Sequence, residues 1–235
     1  MKTTMALKPL AFALAALMAV AAQAGQPHHG GGGSPQPAPT TAAATTLDGQ
    51  SNHGNVVLND KTKNNASAND SYNNISGVAN GNVLSGDNNQ GKNDVAIVSG
   101  DADFVFASTG TAQSNTGNLV VNSGTKNNAS LNDSGNHASG VIQLNAASGT
   151  SNQGSNSVAI ASGNGDSGAA TVTGVQDVSG NLTLNLSSGH GWSSKPVVNN
   201  ASVNNSMNFS SGVSNSNVLS GSNNQGQNNV AITRF

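Results

Sequence analysis

Residues 64–97, NNASANDSYNNISGVANGNVLSGDNNQGKNDVAI, recur without insertion at 127–160 and again at 199–232. Of these 34 positions, 20 are the same in all three copies, including an Asn-Asn-Ala-Ser opening and a Ser-Gly-x-x-Asn-Gln-Gly-x-Asn-x-Val-Ala-Ile ending. Repetition at a period of about 20–50 residues marks units that bury surface by stacking on neighbours of their own kind. The question is therefore what the chain stacks into.

The repetition extends outward from this core. Residues 50–59 (QSNHGNVVLN) match 113–122 (QSNTGNLVVN) at an offset of 63, and 180–185 (GNLTLN) match 117–122 at the same offset. Nine extra residues fall within Leu186–Lys195, so the second connecting segment is the longer one. An insertion of that kind belongs in a loop outside the stack.

Helix is not expected, because no segment keeps a 3.6-residue apolar period and Gly, Asn and Ser are poor helix interiors. Val56–Leu58, Val78–Leu84 and Asn93–Val98 read as short strands between Gly/Asn/Ser turns. The Ser85-Gly86-x-x-Asn89-Gln90-Gly91 segment reads as a bend in which Gly takes positive φ. Each core repeat thus predicts one strand–turn–strand–turn–strand layer.

Stacking identical layers selects residue types. Like charges about 4.8 Å apart repel, whereas a column of Asn or Gln hydrogen-bonds along its own axis. The third core has no charged residue, the second has only Asp133, and the first has Asp70, Asp87, Lys92 and Asp94. Eight amide positions are kept throughout, and these are the candidate self-assembly ladder. In the first copy they are Asn64, Asn65, Asn69, Asn73, Asn82, Asn89, Gln90 and Asn93. Their equivalents are Asn127, Asn128, Asn132, Asn136, Asn145, Asn152, Gln153 and Asn156 in the second copy. The third copy has Asn199, Asn200, Asn204, Asn208, Asn217, Asn224, Gln225 and Asn228. At about 0.5–1.5 kcal/mol net per hydrogen bond, eight ladders contribute at most about 4–12 kcal/mol per layer interface. Buried Val78, Val95 and Ile97 would add about 1.5–3 kcal/mol each. Amide and apolar columns are then of similar size.

Composition agrees. The chain has 235 residues, of which 8% are charged and 3% aromatic, and it has no cysteine, so disulfide and thiol chemistry are excluded. All ten acids are Asp. There is no basic patch interleaved with aromatics of the kind that would point to nucleic acid. Low charge and many amides suit a cross-β stack better than a soluble globular core. At the N-terminus, Lys2 and Lys8 precede an apolar run, Leu10–Ala22, too short to span a bilayer. Ala22-Gln23-Ala24 is a small-x-small site, so cleavage is expected between Ala24 and Gly25. That leaves 235 − 24 = 211 residues, with six basic against ten acidic groups. Gly25–Thr46 reads as a flexible tether.

Sites for catalysis, cofactors or metals are not expected. Gly163, Gly165 and Gly168 match a dinucleotide-loop spacing but lie in a linker without the required strand and helix. Asp101 and Asp103 lack the remaining ligands of a calcium loop. His28 and His29 adjoin in a Gly-rich tail and make no closed site, and His53, His137 and His190 have no partner at ligand spacing.

With these residues in view, the chain resembles the secreted fibril subunits of the Pseudomonas functional-amyloid (Fap) system, most closely the major one. The likeness rests on the leader MKTTMALKPLAFALAALMAVAAQAG, the three Asn-Asn-Ala cores with their Gly-x-x-Asn-Gln turn, two unequal linkers, and SSGHGWSSKPVVNNA before the third core. Two features depart from the family pattern: Cys-x-x-Cys is missing near the C-terminus, and Gly91, Gly154 and Gly226 stand where a second glutamine is usual. A minor or nucleating subunit of the same system therefore stays open, as does a soluble β-helical adhesin. The resemblance implies an extracellular fibril that scaffolds biofilm and promotes adhesion. It also implies export through the periplasm and an outer-membrane pore, with periplasmic accessory proteins and a nucleating subunit as partners.

The fold expected is all-β: a three-layer β-solenoid or cross-β amyloid unit, largely disordered before assembly. Its segments are a leader (1–24), a disordered tether and lead-in (25–63), repeat 1 (64–97), a disordered linker (98–126), repeat 2 (127–160), a second disordered linker (161–198), and repeat 3 with the C-terminus (199–235).

Overall fold

The computed structural model describes residues 40–164, 167–189 and 195–235. The expected leader, its cleavage site at Ala24 and Gly25, and most of the tether lie outside these residues. Within them every regular element is a strand, and the strands form three rungs. Rung 1 contains β1 (Thr41–His53), β2 (Val56–Asp60), β3 (Lys63–Asn69), β4 (Ser76–Asp87) and β5 (Gln90–Gly100). Rung 2 repeats the pattern as β6 (Phe104–Thr116), β7 (Leu119–Ser123), β8 (Lys126–Asn132), β9 (Ser139–Thr150) and β10 (Gln153–Gly163). Rung 3 contains β11 (Ser167–Ser179), β12 (Leu182–Leu186), β13 (Val198–Asn204), β14 (Ser211–Ser222) and β15 (Gln225–Arg234).

Corresponding strands pair in parallel, giving five three-stranded sheets with the rung 2 strand at the centre of each. Register follows the repeat without slippage: Asn64 faces Asn127, Val95 faces Val158, and Val158 faces Val230. The nine extra residues fall between Leu186, which pairs with Ser123, and Val198, which pairs with Lys126. An antiparallel bridge between Ser188 and Lys195 closes that loop, so the layers above it stay in register. Shortening the segment between Leu186 and Val198 by nine residues should leave β-sheet content and assembly rate unchanged, as read by circular dichroism and fibril yield.

The structure extends further than the sequence reading. The lead-in forms β1, β2 and the start of β3, and the linkers expected to be disordered form β6, β7, β11 and β12. The physical reason lies in β6. Its inward side chains are Val105, Ala107, Thr109, Thr111 and Gln113, each no more than 1% exposed. Small and polar residues at period two do not read as a buried strand, yet parallel pairing satisfies their backbone whatever the side chains. Val105 and Ala107 pack on Ala96, Ala159 and Ala161, so the linker sheet covers the β5-β10-β15 sheet. A second cluster, centred on Leu131, Ile142 and Leu144, fills the space between the β8 and β9 sheets.

The bend at Gly86 is as expected, with φ of +96° at Gly86, +108° at Gly149 and +109° at Gly221. Rung 2 is sealed and its neighbours are not: Val141 is 4% exposed against 50% for its rung 1 partner Val78. Ile97 and Ile232 face outward at 45% and 41% exposure, so that column does not supply the burial expected of it.

Candidate assembly interface

The eight predicted amide positions each form a column through the three rungs, and seven are continuous side-chain ladders. The Asn64 column runs Asn64 to Asn127 at 2.9 Å and Asn127 to Asn199 at 2.8 Å. Asn65 and Asn69 accept from Asn128 (2.8 Å) and Asn132 (2.7 Å), which accept in turn from Asn200 (2.8 Å) and Asn204 (2.7 Å). The Asn82 column steps through Asn145 (2.8 Å) to Asn217 (3.0 Å). At the bend, Asn89 accepts from Asn152 (3.0 Å) and Asn152 from Asn224 (2.9 Å), with Gln90, Gln153 and Gln225 beside them at 2.9 and 3.3 Å. Asn156 donates to Asn93 at 3.0 Å and accepts from Asn228 at 2.9 Å.

The Asn73 column works differently. Asn73 and Asn136 accept from the backbone N–H of Asn136 (2.7 Å) and Asn208 (2.8 Å), while their own amides reach the carbonyls of Asp133 and Asn205. They hold the turn after β3, where every second residue (Asp70, Tyr72, Asn74) has positive φ. Stacking there is backbone to side chain.

Two further ladders were missed in the sequence. Gln113 donates to Gln50 at 2.8 Å and Gln176 to Gln113 at 2.7 Å; Asn59 donates to Asn122 at 3.1 Å and Asn122 to Asn185 at 2.9 Å. Their signal was present in the match of 50–59 to 113–122.

Each ladder keeps one direction. Most donate toward rung 1, whereas the Asn59 and Asn64 columns donate toward rung 3. Orientation is locked by additional bonds, for example Asn145 to the Lys92 carbonyl (2.8 Å) and Asn152 to the Ser148 carbonyl (3.1 Å). At rung 1 the end amides of most columns accept along the column and turn their donors to carbonyls of the stack, as Asn89 does to Ser85 and Gly149, while at rung 3 the end amides donate along it. Among the described residues no strand pairs with the outer edges of rungs 1 and 3.

Charge is unevenly placed. Lys92 is 4% exposed, and its Nζ lies 2.5 Å from Asp94 Oδ2 and 3.6 Å from Asp48 Oδ2. It also donates to the Gly110 carbonyl at 3.2 Å, and Thr111 donates to Asp94 at 2.9 Å. Burial disfavours lone ions, so the lysine is held by pairing and hydrogen bonding together. The equivalents above are neutral: Ser155 and Gln227 over Lys92, Ser157 and Asn229 over Asp94, Thr111 and Gly174 over Asp48.

Asp103 joins the starts of β1 and β6. Its carboxyl is held below the usual range first by the Thr40 backbone N–H (2.6 Å) and then by the Thr40 hydroxyl (3.1 Å). A lowered carboxylate contributes above its unfolded value of about 4 and loses that contribution as pH falls through the folded value. Protection of the amides at the start of β1, relative to their intrinsic exchange rates, should therefore fall below about pH 4, before protection at β10 does. Among the described residues no three His, Cys, Asp or Glu side chains are placed to hold a metal.

Among the described residues the outer strands of the stack are unpaired on their outer sides and the amide columns run through all three rungs. The chain is 43% identical over 192 residues to the functional amyloid subunit FapC of Pseudomonas aeruginosa, a match covering 79% of this chain and 56% of that protein. It thus spans little more than half of that relative's length. No solved structure matches. The profile of the functional amyloid protein FapB/FapC family covers residues 42–234, from the second residue of β1 to the last of β15. The chain belongs to the functional amyloid protein FapB/FapC family.

Proposed function

We propose that this chain is a structural subunit of an extracellular amyloid fibril, growing when rung 1 of one copy settles on rung 3 of the next. The observation carrying this reading is the directed ladders: a translated copy continues the donor-to-acceptor sense of every side-chain column, whereas an inverted copy reverses it. Contacts of this heterologous, non-closing kind produce filaments. The eight amide columns of the three copies are, on this reading, the self-assembly surface. Export through the periplasm, nucleation by a minor subunit and a role in biofilm scaffolding and adhesion rest on the family membership and on the leader at 1–24. The repeat geometry supports a structural role and no catalytic one.

Purified chain without its leader should remain soluble through a lag and then bind thioflavin T, with fibres diffracting at about 4.7–4.8 Å along the axis. A monomer that stays thioflavin-silent at all concentrations would overturn this reading in favour of a soluble β-helical adhesin.

A further inference from the structure

We propose that the Lys92–Asp94–Asp48 cluster of rung 1, in which Lys92 and Asp94 are buried and Asp48 is half exposed, is a register key, read by the neutral rung 3 face of a second copy of this chain. The inference rests on head-to-tail stacking and adds which side chains decide the junction. Continuing the observed register by one rung places Lys92 of the incoming copy over Gln227, its Asp94 over Asn229 and its Asp48 over Gly174. Three observations fit that placement.

First, the cluster has one ammonium against two carboxylates, so two rung 1 faces brought together oppose like net charge. Second, the Gln227 side chain lies across Gly174: a Cβ there would fall on its amide nitrogen. That nitrogen is buried and has no hydrogen-bond partner among the described residues. A carboxylate stacked over Gly174 supplies the missing acceptor, and Asp48 of the next copy is the residue the register delivers. Third, the three columns are uncharged at their other two levels, so an ion occurs once in every three layers of each and never meets its like at about 4.8 Å.

The key has partners of opposite effect. Asn229→Asp puts a carboxylate beneath Asp94 of the next copy and should raise the critical concentration for fibril growth at least about tenfold. Within its own chain the new acid is separated from Asp94 by Ser157, so the subunit should still dock by rung 1 onto wild-type seeds. It then blocks the next addition, and small amounts of N229D should cap wild-type fibrils at one end. Combining it with Asp94→Asn moves the carboxylate across the junction and should restore growth to within about threefold of wild type. Gln227→Lys stacks a second ammonium directly beneath Lys92 of the next copy and should likewise raise the critical concentration. Thioflavin kinetics and end-labelled seeds imaged by fluorescence read all of these. Wild-type elongation by N229D, or no rescue by D94N, overturns the key while leaving head-to-tail growth intact. Absence of any 4.8 Å fibre from the wild-type chain would overturn the stacking beneath it.

Discussion

Replacing Asn89, Asn152 and Asn224 together by Asp should abolish fibril formation at pH 7 and permit it again below about pH 4, where carboxylates take up protons. Asn152 is fully buried. Its amide donates to Asn89 Oδ1 and to the carbonyls of Ser148 (3.1 Å) and Gly221 (3.1 Å). Asp keeps the shape but not the donors, leaving oxygens against oxygens. It also stacks carboxylates at about 4.8 Å, where two unit charges repel by roughly 3–4 kcal/mol at an effective dielectric of about 20. Each chain carries that repulsion at two internal steps and one junction. The same change at Asn65, Asn128 and Asn200, whose ladder is bonded at an exposed face, should slow assembly without stopping it, because water screens the charges. Thioflavin kinetics and sedimentation at pH 7 and pH 3 decide the matter. Equal lag and yield for the buried-column variant at pH 7 would show that the columns do not drive assembly.

How much of this was legible depends on which constraint a residue obeys. The 34-residue core was readable because identity in gapless register is itself the signal of stacking, and the Ser-Gly-x-x-Asn bend needed only the special φ of glycine. The strands of the lead-in and linkers were not readable from their composition. Thr109, Thr111 and Gln113 are buried yet polar, because the covering layer in this fold is amide and hydroxyl. Only the offset of 63 residues, followed further than its clear matches, would have extended the strands to Thr41 and Phe104. The eight amide positions were identified by recurrence alone, and recurrence does not distinguish a ladder from a turn clamp. Asn73 therefore looked like Asn82, although one holds backbone N–H groups and the other stacks side chain on side chain. Of the charge cluster, Lys92 and Asp94 were visible as ions of the first core, but their grouping with Asp48 was not, since Asp48 comes from a segment read as lead-in.

Gly77 and Gly221 separate the folding of a subunit from the growth of a fibril. In the Gly77 column a Cβ on Gly140 would lie 2.1 Å from the Gly77 carbonyl oxygen, and one on Gly212 would lie 2.2 Å from that of Gly140. The Gly86 column points the other way, with Gly86 meeting Gly149 oxygen and Gly149 meeting Gly221 oxygen, each at 2.1 Å. Those distances lie far inside contact, and a carbonyl cannot retreat without opening the ladder it belongs to. At the ends of the series, a Cβ on Gly77 meets nothing within 4 Å, and one on Gly221 meets only the Asn199 side chain at 3.0–3.5 Å. In a fibril the missing partner of Gly77 is Gly212 of the preceding copy, and that of Gly221 is Gly86 of the following one. Gly140→Ala and Gly149→Ala should therefore prevent the three-rung subunit from forming. Gly77→Ala leaves its own rungs free of contact and carries only the strain of an L-residue at φ +113°, about 1–3 kcal/mol. Its clash appears at the junction, so the critical concentration should rise at least about tenfold, equivalent to about 1.4 kcal/mol per added subunit. Gly54→Ala, at φ +67° with open space around its Cβ, controls for positive φ alone and should assemble close to wild type. If Gly77→Ala elongates wild-type seeds at the rate of Gly54→Ala, the copies do not meet rung 3 to rung 1 in continuous register.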